Sequence, residues 1–202
     1  MVTDLLRIGV IYMKKKESGP QGGYLIPHPI TLVSAYDEKG KPNAYAQCWI
    51  MNIGHKPPKI AFITREHRYT YTLFKEKDYF GVNIPSPEII KEVDFFGRNS
   101  GKDIDKFAAT KLEVFKGTKA DVPLIKECHI NLECKVIETK VIEDTMIMVF
   151  AEVINSHYNE DLFNEEGKLD ESKIPLMVYG HNHYWSATKK VGSVGMSKED
   201  KT

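Results

Sequence analysis

Residues 37–70 read DEKGKPNAYAQCWIMNIGHKPPKIAFITREHRYT, and this stretch decides the fold. Gly40 and Pro42 predict a tight turn, because glycine supplies a positive φ and proline fixes the chain as it leaves the turn. The segment before the turn, ITLVSAY (30–36), is rich in β-branched residues, which favours a strand. The segment after it, AYAQCWIMNI (44–53), predicts a single returning strand. The stretch therefore predicts a β-hairpin.

The remainder of the chain continues as short strands and short helices. Further strands are predicted at 59–64, 78–85, 129–142, 145–157 and 175–186, and helices are predicted to begin near Arg68–Thr70, at Ser86 and at Asp103. In the segment 130–136 apolar and polar residues alternate, which predicts a half-buried antiparallel strand. Residues 5–13 fit either a strand or a helix. We predict a mainly β fold, a β-barrel with inserted short helices, although strand pattern alone also fits a sandwich.

Composition narrows the class of protein. A chain of 202 residues predicts one domain, with a core at about 23–186 and a polar tail at 189–202. Its 28 basic and 28 acidic residues cancel, which argues against nucleic acid or a membrane surface as the main partner. We expect a cytoplasmic protein, because no signal peptide or membrane span is visible and the three cysteines fit free thiols.

A basic cluster predicts an anion site. Arg65, His67 and Arg68 come just before the helix start at Tyr69–Thr70. Helix N-termini present free N–H groups to phosphate, and the Arg68 guanidinium and Thr70 hydroxyl would add directed donors. A solvated charged loop, with Thr70 as an ordinary helix cap, is the alternative interpretation.

The strand before this cluster predicts a surface for a flat ring. Strand alternation places Tyr45, Gln47 and Trp49 on one face, where an aromatic ring offers stacking area and an amide offers matched hydrogen bonds. A core aromatic on a barrel strand is the alternative. Cys48 falls on the opposite face, where a buried thiol is favoured over a nucleophile.

Two further patterns carry weaker predictions. Lys102 and Lys106 are four residues apart and share a helical face that could meet a phosphate, unless the neighbouring aspartates neutralise them. His181 and His183 lie two apart with no third ligand indicated, so no metal site is predicted. The chain also lacks the glycine-rich GxGxxG and Walker motifs and the GxSxG elbow.

The order of segments resembles the flavin reductase-like, FMN-binding split-barrel family, in particular its flavoredoxin type. The resemblance runs from about Gly23 to Trp185 and is carried by ITLVSAYDEKGKPNAYAQCWIMN (30–52), PPKIAFITREHRYTYTLFKE (57–76), VNIPS (82–86), SGKDIDKF (100–107) and INLEC (130–134). It implies a homodimer of split β-barrels with non-covalent FMN at the subunit interface.

The resemblance also implies a set of FMN-binding residues and no catalytic side chain. They are Asn43, Ala46, Gln47, Cys48, Trp49, Ile50, Arg68, Tyr69, Thr70, Asn83, Ser100, Gly101, Lys106, His157 and Tyr184. Relatives often carry serine or threonine where this chain has Cys48, which leaves the role of the thiol open.

The implied activity is electron transfer through bound flavin. The donor is NAD(P)H or a redox protein, and the acceptor is free flavin, ferric iron or another protein. A flavoredoxin-like carrier without nicotinamide activity is one alternative. A flavin-free, ligand-binding β-barrel is the other.

Overall fold

A computed structural model describes residues 14, 16–17, 19, 25–180 and 182–197. Its strands are β1 His28–Pro29, β2 Thr31–Tyr36, β3 Pro42–Gln47, β4 Ile50–His55, β5 Pro58–Arg65, β6 Tyr79–Ile84, β7 Val114–Lys116, β8 Pro123–Ile125, β9 Ile130–Glu143, β10 Met146–Tyr158, β11 Met177–Gly180 and β12 His183–Ser186. Its α-helices are α1 Tyr69–Phe74, α2 Ile90–Arg98 and α3 Lys106–Thr110. Residues 5–13 and His181, which figured in the sequence predictions, lie outside the described residues.

Seven strands form one antiparallel sheet in the order β3-β2-β6-β9-β10-β5-β4. The sheet is so strongly curved that its edge strand β3, and the corner that follows it, form hydrogen bonds with β5. The backbone N–H of Ile63 donates to the carbonyl of Trp49 at 3.0 Å, and the Gln47 amide donates to the carbonyl of Ile63 at 2.8 Å. This closure confirms the predicted β-barrel with inserted short helices. Among the described helices, none is long and apolar enough to cross a bilayer.

The prediction of one strand over residues 44–53 is wrong, because that segment forms two strands. β3 ends at Gln47, and β4 begins at Ile50 on the opposite edge of the sheet. Residues Cys48 and Trp49 form the corner between them. The chain must turn there because the same segment supplies both edges of the sheet that closes.

The predicted helices form, with one change of boundary. α1 begins at Tyr69 as expected, and Ser86 precedes a 3-10 turn, Pro87–Ile89, that leads into α2. The third helix begins at Lys106, and Asp105, not Asp103, caps it by accepting a hydrogen bond from the backbone N–H of Ala108 at 3.0 Å. Both aspartates suit a helix cap, so composition alone did not separate them.

The core lies on both sides of the sheet. Inside the barrel, Phe62, Phe74 and Phe80 are fully buried, and the rings of Phe62 and Phe80 meet edge to face at 5.4 Å. Outside it, Phe96 of α2 packs in a second apolar cluster that includes Ala44 of β3. The packing of α2 on β3 brings the residues that follow α2 close to the strand that carries the predicted ring surface.

On the polar side of β9, Asn131 and Glu133 are buried, contrary to the half-buried strand predicted, whereas Lys135 is exposed as expected. The carboxylate of Glu133 is fully buried, and it accepts hydrogen bonds from the backbone N–H groups of Thr118, Lys119 and Ala120 at 2.6–2.9 Å. The Nε2 atom of His157 lies 2.8 Å away. Burial alone would raise the pKa of Glu133, but hydrogen bonds to His157, Asn155 and the backbone outweigh burial and hold this pKa at about 2.

Replacing Glu133 is predicted to destabilise the fold. Because the folded pKa lies below the ordinary 4.5, the carboxylate stabilises the protein fully above that pH, and the effect is lost as the pH falls toward 2. We expect Glu133→Gln to lower the free energy of unfolding by up to about 3 kcal/mol at pH 7 and by much less at pH 3, in urea denaturation. Glu138→Gln, at an exposed position of β9, is the matched control. An equal loss at both pH values would contradict this account.

Candidate functional site

A cationic cavity of about 380 Å³ lies between β3, α1 and the loop after α2, and we call it the anion cavity. Its lining is Asn43, Tyr45, Arg65, His67, Arg68, Tyr69, Thr70, Gly97, Arg98, Asn99, Ser100, Gly101 and Lys106. Among the described residues, none of those that line it is acidic. Because cations converge here with no lining carboxylate to neutralise them, the cavity is suited to an anion.

Lys106 forms part of the floor of the cavity and is only 3% exposed. Its ammonium group donates to the carbonyls of Phe96 and Asn99, both at 3.1 Å. Burial, with a smaller contribution from the positive charge of Arg68, lowers the pKa of Lys106 to about 8. An ammonium has three donors, so one N–H remains for a ligand, and an anion would relieve the repulsion between the two cations.

Thr70 and Asn43 complete the floor. The side-chain amide of Asn43 donates to the Thr70 hydroxyl at 2.8 Å, so that hydroxyl can donate its own proton to a ligand oxygen. Gly101 is packed against Asn43, because an added Cβ would lie 2.6 Å from the Asn43 Cγ. α1 has only six residues. The side chains, and not the end of so short a helix, are therefore the candidate donors to an anion.

Arg68 lies at the side of the anion cavity, where Tyr45 supports it. Its guanidinium carbon sits 5.1 Å from the centre of the Tyr45 ring, a cation–π contact. Burial raises the pKa of Tyr45 to about 12, so the phenol stays neutral and keeps its proton. Its hydroxyl donates to Thr64 at 3.2 Å, which fixes the ring under the guanidinium.

An apolar groove of about 590 Å³ lies along the β3–β4 corner. Its lining is Leu25, His28, Cys48, Trp49, Ile50, Met51, Ala61, Phe62, Ile63 and Met148. A smaller cavity of about 220 Å³ lies between the two sites, since it shares Tyr45, Arg65 and Arg68 with the anion cavity and Cys48, Trp49 and Ile63 with the groove. A ligand with an anionic end and a flat apolar end would fit along this path.

The residues near the β3–β4 corner have surroundings that strand alternation alone did not predict. Trp49 is 44% exposed, whereas Tyr45 is buried, although both line the smaller cavity. The Gln47 amide is used by the protein: its nitrogen donates to the Tyr45 hydroxyl at 3.1 Å as well as to Ile63, and its oxygen accepts from the Trp49 N–H at 3.1 Å. Burial raises the pKa of Cys48, so its thiol stays protonated and is a poor nucleophile.

The structure thus brings together most of the residues predicted to bind the ligand. Those lining one of the three cavities are Asn43, Ala46, Gln47, Cys48, Trp49, Ile50, Arg68, Tyr69, Thr70, Ser100, Gly101 and Lys106. Asn83 lies instead in the core, where it hydrogen bonds with Leu32, Ser34, Ile125 and Asn131.

Two late residues also lie outside the three cavities in this chain. His157 contacts Glu133, on the face of the sheet covered by the β7–β8 hairpin. The Tyr184 hydroxyl donates to Asp94 of α2 at 3.0 Å. Their contact with the ligand, which the resemblance implies from either subunit, stays a prediction.

Sequence reasoning missed the contribution of the end of α2. Gly97, Arg98 and Asn99 line the anion cavity, and the Asn99 carbonyl holds Lys106. The signal was a basic residue in the last helical turn followed by Asn-Ser-Gly, which marks a helix end. Only the packing of α2 on β3 turns that helix end toward the basic cluster.

Comparison with known proteins identifies the family. Residues 23–188 match the model of the flavin reductase like domain. An uncharacterized protein of Archaeoglobus fulgidus is 32% identical over 167 residues, which cover 83% of this chain and 93% of that protein.

Solved structures agree with this match. Flavoredoxin of Desulfovibrio vulgaris (Miyazaki F) superposes with a TM-score of 0.83 at 27% identity, over 92% of this chain and 100% of that one. Flavoredoxin from Methanosarcina acetivorans superposes with a TM-score of 0.81 at 29% identity, over 92% and 98% of the two chains. The resemblance seen in the sequence is confirmed, and the chain belongs to the flavin reductase-like domain family.

Proposed function

We propose that this protein binds FMN without a covalent bond and works as an FMN-dependent oxidoreductase of the flavin reductase type. One observation carries the proposal: a cationic cavity and an apolar groove lie on either side of a smaller cavity that shares lining residues with both. FMN has a phosphate at one end and a flat isoalloxazine ring at the other, which matches both ends of that path.

The residues that would hold FMN follow from the geometry. The third N–H of Lys106, the hydroxyl of Thr70 and the guanidinium of Arg68 would bind the phosphate. Trp49, half exposed at the corner, would cover one part of the ring. Electron transfer is the chemistry the flavin supplies when bound. The protein orients the ring and excludes water from it, and no protein side chain is assigned to acid–base catalysis.

The electron donor is NAD(P)H or a redox protein, and the acceptor is free flavin, ferric iron or another protein. A carrier role without nicotinamide activity is the second candidate. It is favoured by the similarity to two proteins named flavoredoxin, at 27% and 29% identity, and by the absence of a GxGxxG motif from the sequence.

We further propose a cytoplasmic homodimer with FMN at the interface. Support for the dimer comes from β4, an edge strand whose exposed side chains include Met51 and Ile53 beside Trp49. Exposed apolar residues on a sheet edge are a surface that proteins normally cover. A second subunit seated there would cover the open side of the apolar groove.

The donor can be identified by titrating purified protein with FMN and then following the visible flavin absorbance. Bleaching by NADH or NADPH supports the reductase. Bleaching only by an added reductase or electron-carrier protein, with nicotinamide in excess having no effect, supports the carrier. A protein that takes up no FMN at all would refute both and leave a flavin-free β-barrel.

Removing the positive charge of Lys106 is predicted to weaken the binding of FMN but not of riboflavin. Lys106→Met keeps the length of the side chain but removes one charge-assisted contact with the phosphate, so we expect FMN affinity to fall about 10- to 100-fold. Riboflavin, which lacks the phosphate, should bind equally to both proteins. Lys102→Met, at an exposed position of the same loop, is the control. Equal FMN affinity in wild type and Lys106→Met, measured by fluorescence quenching, would place the phosphate elsewhere.

FMN affinity is also predicted to depend on pH. In the free protein Lys106 has a pKa of about 8, and a bound phosphate favours its charged form and so raises that pKa. Binding therefore takes up a proton, and FMN affinity should fall by up to about tenfold per pH unit as the pH rises above 8. Dissociation constants between pH 7 and 9.5 test this. Lys106→Met should lose the dependence, and a flat wild-type profile would argue against the assignment.

A further inference from the structure

We propose that the apolar groove holds, beside the flavin ring, a flat and uncharged aromatic oxidant such as a quinone, which accepts electrons from that ring. This inference rests on the proposed function. It adds to that function an acceptor class that is none of free flavin, ferric iron and another protein. The extent of the groove, its floor and the charge of its lining support the proposal.

The groove extends beyond the place that the flavin ring would take. Its near part adjoins the anion cavity, because Cys48, Trp49 and Ile63 also line the smaller cavity. We call its other end the far part, and the residues that line it but neither of the other two cavities include Leu25, Met51, Ala61 and Met148. A flavin with its phosphate in the anion cavity would place its ring in the near part, at Trp49, and leave the far part open.

The size of the groove allows for two ring systems. Its volume is about 590 Å³. Pockets that take a complete drug-sized ligand begin at about 300 Å³, and the isoalloxazine ring is only one portion of FMN. The groove therefore has space for the flavin ring and for a second flat molecule.

The floor of the far part is one face of the sheet. Met51 of β4 lies opposite Ala61 of β5. Met148 of β10 lies opposite Ile63 of β5, two residues further along the same strand and so on the same face. Three neighbouring strands span about 10 Å, and methionine thioethers make favourable contacts with aromatic rings. This floor is suited to a flat aromatic molecule.

The lining of the groove selects against charge. Among the described residues, those that line it include no aspartate, glutamate, lysine or arginine, and its polar members are His28 and Cys48. A charged group that entered would lose its hydration and meet no counter-charge, which costs free energy. Free FMN and ferric chelates carry charge, whereas a quinone carries none. The groove therefore favours the quinone.

The flavin and the quinone balance the reaction between them. Reduced FMN, as FMNH₂, gives two electrons and two protons to the two carbonyl oxygens of the quinone. Two N–H bonds of the flavin break and two O–H bonds form, so the products are oxidised FMN and a hydroquinone. The electron donor of the proposed function then reduces the flavin again. The part of the protein is to bring the two rings together and to exclude charged molecules.

The test uses duroquinone, which is uncharged and whose methyl groups leave no open ring position for the Cys48 thiol to attack. It is titrated into protein loaded with oxidised FMN and followed by calorimetry, so that no turnover is involved. We expect duroquinone to bind while FMN stays bound. We also expect it to bind about 10-fold more tightly than an anionic analogue in which a carboxymethyl group replaces one methyl group.

Two results would overturn the inference and leave the proposed function in place. One is that FMN-loaded protein binds no duroquinone, as when the flavin ring or a second subunit fills the groove. The other is that duroquinone displaces FMN, since the groove would then hold only one ring. A protein that takes up no FMN would refute the proposed function and the inference together.

Leu25→Arg gives a sharper signature. Leu25 lines the far part and is 89% exposed, so its replacement should not disturb the fold. A cation there should raise the affinity for the anionic analogue about tenfold and leave the affinity for duroquinone unchanged. Val191→Arg, at a position that is 91% exposed and lines none of the three cavities, is the control. Equal changes for both quinones in Leu25→Arg, or no change for either, would overturn the inference.

The electron transfer itself is tested by mixing reduced, FMN-loaded protein with duroquinone in the absence of oxygen. The return of the oxidised flavin absorbance should follow a rate that saturates as the quinone concentration rises, because the quinone binds before it is reduced. A rate that rises linearly without saturation would show reaction by collision and would overturn the inference.

Discussion

The side chain of Gln47 is the contact on which the rest of the site depends. Its amide nitrogen bridges Ile63 and Tyr45, and its oxygen holds the backbone of Trp49. The hydrogen bond to Ile63 spans β3 and β5 where the barrel closes, and the bond from the Trp49 N–H fixes the corner from which β4 departs. A buried amide with all of these partners is stable, whereas an unpaired one would cost free energy. The corner is therefore held in one conformation.

The corner at Cys48–Trp49 lies between the two ends of the site, the apolar groove and the anion cavity. On one side Trp49 lies at the apolar groove, and on the other the Tyr45 ring lies under the guanidinium of Arg68. Gln47 thus links the wall of the apolar groove to the wall of the anion cavity through Tyr45. The buried ammonium of Lys106 completes the anion cavity. Keeping it charged costs free energy, because it is removed from water, and a bound anion would offset that cost. This arrangement of charges agrees with the FMN that we propose as the ligand.

The sequence predicted most strands of the seven-stranded sheet, the β2–β3 and β9–β10 hairpins and the start of α1, because these depend on local signals such as β-branched runs and turn residues. It predicted one extended segment at 175–186, where the structure has two strands, β11 and β12. It did not predict the break at Cys48–Trp49, since all of residues 44–53 suit a strand and the break depends on closure with a distant partner. The alternation of apolar and polar residues also did not predict that the side chains of Gln47 and Glu133 would form hydrogen bonds within the protein. Their partners, Ile63 and the 118–120 loop, are brought to them only by the sheet.

Within the site, the anion cluster at Arg68–Thr70 was visible because basic and hydroxyl residues are adjacent in the chain, and Lys106 was indicated weakly by its spacing from Lys102 and more strongly by family resemblance. The central claim is that the segment from Asn43 to Thr70, together with Lys106, holds both ends of a single FMN. A crystal structure of the protein with FMN tests this most directly. The account predicts the phosphate within hydrogen-bond distance of Lys106 Nζ and Thr70 Oγ1, and the ring against Trp49. A phosphate in solvent, or a ring away from the β3–β4 corner, would contradict it.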